Sequence, residues 1–156
     1  MNNVTIAHLI NLFIYSLYFF SRAGSGVDIS SLDYIISCVM SFFIIGAGYL
    51  NARKGMSYRS VLWVFFVNVF LFILSGMFDQ FGSNFNILST GNSDTFLFTL
   101  ALIVYNGYFF PFIHSLEGSG FSLVVPVLLT FFPYLGFWIG IKTVNQTKNE
   151  KKSTEI

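Results

Sequence analysis

The sequence predicts an all-α fold, a polytopic transmembrane bundle of about five membrane-embedded helices, on three observations. Of its 156 residues 54% are hydrophobic and 10% are charged, where a soluble domain carries roughly 25% charged residues. The apolar residues, 21 Phe among them, arrive in long blocks, with neither the single stripe of a surface helix nor the alternation of a half-buried strand. No Asp, Glu, Lys or Arg interrupts any block. Open sheets cannot satisfy their backbone in lipid, and barrel strands alternate, so helices remain.

The first block, Val4–Phe20, follows MNNVT, which lacks the Lys or Arg of a signal-peptide n-region, and is read as a retained span. A Gly/Ser-rich connector, SRAGSGVDISSLD, leads to Tyr34–Leu50. A short basic loop with Arg53, Lys54 and Arg59 precedes Val61–Phe78, and Asp79–Thr95, a connector without Lys or Arg, precedes Phe96–Ile113. The fifth block, Phe121–Ile141, contains Pro126 and Pro133. Each block approaches the ~20 residues that cross ~30 Å of hydrocarbon. The chain therefore reads as one membrane domain over 1–141, followed by a polar tail over 142–156 of disordered composition.

Sidedness is internally contested. Lys and Arg in short loops mark the cytoplasmic face. Arg53, Lys54 and Arg59 lie three blocks before Lys142, Lys148, Lys151 and Lys152. If all three blocks cross, the two clusters face opposite sides, and the count narrowly favours an external N-terminus and a cytoplasmic tail. If one block turns back, four spans and a re-entrant segment remain; the prolines make the fifth block the first suspect.

Chemistry-bearing residues are few. His8, Asn11, Tyr15 and Tyr18 share one face of the first helix, either as a hydrated path or as interhelical hydrogen bonding. YNGYFFPFIH, with Asn106 and Pro111, reads as a broken helix at a ligand or transport path, or as a proline-kinked end. Gly136 and Gly140 form a G-x-x-x-G pair, and Ser37/Ser41 and Gly48/Ala52 repeat small residues four apart, the pattern of close helix packing. Cys38 is alone, and His8 and His114 lack partners at ligand spacing, so no metal site and no cofactor is expected. His114 and Glu117, three residues apart, are the one conceivable catalytic pair.

Three functional readings follow. The first is a non-catalytic accessory, immunity-type or scaffold protein that binds another membrane protein, or itself, through its helices. The second is a small oligomeric transporter or channel using the segment at Asn106–Pro111, and the third is an interfacial enzyme. The bilayer is the expected partner and nucleic acid is not. A short hydrophobic chain rich in Phe, Ile and Asn suits a bacterial cytoplasmic membrane.

Overall fold

The computed structural model describes residues 2–22, 29–75, 96–116, 128 and 130–154. All regular structure among the described residues is helical: α1 (Asn3–Arg22), α2 (Ser31–Arg53), α3 (Arg59–Leu74), α4 (Phe96–Tyr105), a 3-10 turn at Gly107–Phe109, α5 (Phe110–Ser115) and α6 (Phe132–Thr154). Of these, α2 is long and apolar enough to cross a membrane; Asn3–Tyr18 and Arg59–Leu74 are apolar but shorter.

Local chemistry explains where the helices begin and end. Asn2 caps α1, its Oδ1 accepting from the backbone N–H of Val4 at 3.0 Å. At the start of α2, the Asp33 carboxylate accepts from the Ser30 backbone N–H and hydroxyl, each at 2.6 Å. At its end, Gly55 adopts φ 69°, the Gly55 N–H donates to Ala52 O, and the Met56 N–H donates to Asn51 O. These two bonds close the helix on a left-handed glycine.

The fourth block breaks into two helices. In a continuous helix Pro111 would collide with the carbonyl of Gly107, four residues back. The chain yields at that point: α4 stops at Tyr105, a 3-10 turn covers Gly107–Phe109, and Pro111 falls in the first turn of α5, where it is tolerated. Pro133 likewise sits in the first turn of α6, so it begins that helix and does not kink one. The first half of the fifth block, with Pro126, lies outside the described residues.

The tail expected to be disordered differs: α6 continues to Thr154. Nothing in TVNQTKNEKKST stops a helix, since it lacks Gly and Pro and holds Gln, Glu and Lys, good helix formers. Its lysines also suit the negative end of the helix dipole.

Register contacts fix the directions. Asn3 and Asn11 of α1 meet Asn51 and Met40 of α2, so these helices are antiparallel. The Asn2 side-chain N–H donates to Ser60 O at 2.8 Å, which starts α3 beside the start of α1. Gly136 lies against Ile45, and Gly140 against Tyr49 and Ala52. Both numbers rise together, so α2 and α6 run parallel. Lys142 follows Gly140 by two residues, and Arg53 follows Ala52 by one. Both basic clusters consequently occupy one end of the molecule, not opposite ends as uninterrupted crossings require.

The interior mixes apolar residues, Ile44, Val61, Val64 and Phe109 among them, with polar ones, while large apolar side chains also face outward. His8, Asn11, Ser37, Asn51, Asn68 and Asn106 are buried. Phe42 is 73% exposed, Phe13 66%, Phe66 63% and Leu97 72%. Single apolar residues on a surface are ordinary, whereas large contiguous apolar patches mark interaction surfaces.

Candidate functional site

The polar face of α1 becomes the centre of the molecule. His8, 1% exposed, shares a 2.9 Å hydrogen bond between Nδ1 and the Tyr108 hydroxyl. Three aromatic rings surround the imidazole: Tyr105 at 4.5 Å, Tyr108 at 5.6 Å and Trp63 at 5.9 Å between centroids. The broken fourth block supplies two of them and α3 supplies the third.

One residue from Tyr105, the Asn106 side-chain N–H donates to Asn68 Oδ1 at 2.7 Å and to Leu102 O at 2.9 Å. The Tyr105 hydroxyl donates to Val64 O at 3.1 Å. Asn11 donates to Met40 O at 3.0 Å. Tyr15 lies against Gly107, where an added Cβ would stand 2.8 Å from its ring; only a residue without a side chain lets the 3-10 turn approach α1 so closely. Each of these bonds and contacts reaches across the interior, apart from the one from Asn106 to Leu102.

Three buried polar atoms in this centre have no hydrogen-bond partner: His8 Nε2, Trp63 Nε1 and Asn106 Oδ1. Indole N–H is a donor, amide oxygen an acceptor, and imidazole Nε2 is whichever the Tyr108 bond leaves it. An orphaned buried polar group costs roughly 1–3 kcal/mol. They belong to α1, α3 and the break between α4 and α5, and comprise both donor and acceptor character without a charge.

The remaining candidates fall elsewhere. Gly48, Gly136 and Gly140 form the α2–α6 contact within the chain, where a Cβ on Gly48 would overlap the Pro133 carbonyl and one on Gly136 the Ile45 carbonyl. The Ser41 hydroxyl donates to Ser37 O at 2.7 Å, and Ser37 Oγ is buried without a partner. Pro111 is buried as the first-turn residue of α5. His114 is exposed, its ring stacked on Phe110 at 6.0 Å, and Glu117 lies outside the described residues. Among the described residues no group of three His, Cys, Asp or Glu gathers to hold a metal ion.

Asn106 reads from the sequence as part of a broken helix, but its pairing with Asn68 does not, nor do the places of Trp63, Tyr105 and Tyr108 around His8. The available signal was the density of aromatic side chains with polar tips flanking Asn106. No family model, curated protein or solved structure matches the chain.

Proposed function

We propose that the chain is a multi-pass integral protein of a bacterial cytoplasmic membrane, with both termini on the cytoplasmic side and a re-entrant fourth block. It acts without covalent chemistry, as a small transporter or channel for a neutral polar solute held at mid-depth. The carrying observation is the centre formed by His8, Trp63 and Asn106, which places three unpartnered polar atoms beside a broken helix, under an apolar exterior.

The topology rests on parity. α1 starts and α6 finishes at the basic end, so the chain crosses an even number of times. Three crossings by α1, α2 and α3 leave one for the last two blocks. α4, ten residues long, covers only ~15 Å of a ~30 Å core. It ends level with Val64 and Asn68, and α5 then lies at the opposite end from Lys54, with Phe112 5.8 Å from Tyr34 in the first turn of α2. The fourth block thus enters and leaves by one face, and seven of the eight Lys and Arg gather on the other, as the positive-inside rule asks. Single cysteines at Ser57 and Thr147 in a Cys38→Ser background give equal, cytoplasmic protection from an impermeant thiol reagent; opposite sidedness would refute the topology.

Irregular backbone at membrane depth is tolerated where it lines a site within the protein, and such breaks mark substrate sites in transporters. The absence of acidic or basic residues inside the blocks argues against ion coupling. Stopped-flow shrinkage of proteoliposomes in glycerol and in urea tests the reading. Permeation above protein-free vesicles is expected, lost in Asn106→Ala and reduced in Trp63→Phe, which removes the unpartnered N–H together with the five-membered ring that carries it. Permeation equal to protein-free vesicles refutes it.

The accessory or scaffold reading stands second. It is favoured by the use of Asn11, Asn68, Tyr105 and Tyr108 as bonds between segments of the chain, which is what interhelical packing alone requires.

A further inference from the structure

A groove of about 480 Å³ runs along the outer junction of α1 and α2, away from the buried centre. Its apolar surface comes from Ala7, Phe42, Phe43, Gly46 and Leu50, and Phe42, Phe43 and Leu50 are exposed on its rim. Nothing stands within 4 Å of where a Cβ on Gly46 would lie, so that glycine leaves the floor open. The volume is that of a small-molecule pocket.

At one end of the groove the character changes. Asn3 and Tyr49 line it there. Lys54 Nζ donates to Asn3 Oδ1 at 3.0 Å, the Arg53 guanidinium stands 6.0 Å from the centre of the Tyr49 ring, and Asn3 Nδ2 is a buried donor without a partner. Every one of these is a hydrogen-bond donor or a cation. Asp33, the acidic residue of α2, is buried at the helix's opposite end. An apolar groove with two cations standing against the residues that line one of its ends, Arg53 beside Tyr49 and Lys54 on Asn3, matches an acyl chain attached to a phosphate.

We propose that this groove binds an anionic phospholipid, with an acyl chain along Ala7 and Gly46 and the phosphate held by Arg53 and Lys54. The inference rests on the membrane reading above, and independently on the charge complementarity of the groove's end. Lys and Arg beside the membrane surface attract anionic headgroups, and Arg53 and Lys54 stand at that position in the proposed topology.

Native mass spectrometry of the full chain, titrated with phosphatidylglycerol or phosphatidylcholine, tests the proposal. Phosphatidylglycerol should be retained about tenfold more tightly. Gly46→Leu, which fills open space without touching α2 packing, should abolish retention of the first lipid while leaving the melting temperature unchanged. Arg53→Gln with Lys54→Gln should bring the two lipids to equal retention. Equal retention by the unmodified protein, or full retention by Gly46→Leu, overturns the groove. Extraction of the chain from membranes by alkaline carbonate would instead overturn the membrane reading itself, so the two failures are distinguishable.

Discussion

Replacing Gly136 by alanine should unfold the α2–α6 contact more than its size suggests. An added Cβ there would overlap the Ile45 carbonyl, and one on Gly48 would overlap the Pro133 carbonyl. Carbon contacts settle near ~3.5–4.0 Å, so α2 and α6 must separate by roughly an ångström or more. The obstruction is backbone, which cannot rotate away. Overpacking of this kind costs ~1–3 kcal/mol, and a backbone obstacle argues for the upper half. Gly46, on the same helix with open space around it, is the control: alanine there should be neutral or stabilising by up to ~1 kcal/mol. Gly136→Ala and Gly46→Ala should therefore differ by at least ~2 kcal/mol, about 30-fold in the unfolding equilibrium. Because one separation accommodates both, Gly48→Ala with Gly136→Ala should cost less than the sum. The assay is reversible unfolding in mixed micelles with increasing dodecyl sulfate, followed by far-ultraviolet circular dichroism. Coincident curves for Gly136→Ala and Gly46→Ala would refute the close approach of α6 to α2 at Gly136.

Two further outcomes concern the buried centre. Tyr108→Phe strips His8 of its Nδ1 partner and should destabilise by ~1–3 kcal/mol, whereas Tyr108→Phe with His8→Leu removes both polar groups and should recover most of that loss in the same unfolding assay. A double-mutant cycle on Asn68→Ala and Asn106→Ala should return a coupling near ~0.6 kcal/mol, and not above ~1.7.

The helices were legible because their causes are local. Uninterrupted apolar blocks mark them, and Asn2, Ser30 with Asp33, and Gly55 are end signals readable from neighbouring residues alone. The break in the fourth block was legible in outline, since Pro111 dictates trouble four residues earlier. Partners were not legible. Asn68 and Asn106 are 38 positions apart, and nothing in either block says which amide meets which. The parallel course of α2 and α6 was hidden for the same reason: Gly136 and Gly140 announce a close approach without naming Ile45 and Tyr49. Hence the charge conflict looked like a property of the chain when it was a property of an assumed topology. The tail was misjudged as disordered because its polarity was weighed and its helix-forming residues were not.

The unbroken course of α6 has a mechanical consequence. From Lys142 to Thr154 the helix continues ~19 Å beyond its apolar portion, at ~1.5 Å per residue. A rod continuous with a packed segment transmits torque and tilt, which a flexible tail would dissipate. Its far end therefore has a defined angular phase relative to α2. Inserting one alanine after Lys142 would rotate everything beyond by ~100° and advance it by ~1.5 Å, and inserting four would bring the heading back to within ~40° of the original. Whatever meets that end meets a surface whose bearing is set inside the bundle, by the glycines that lock α6 to α2.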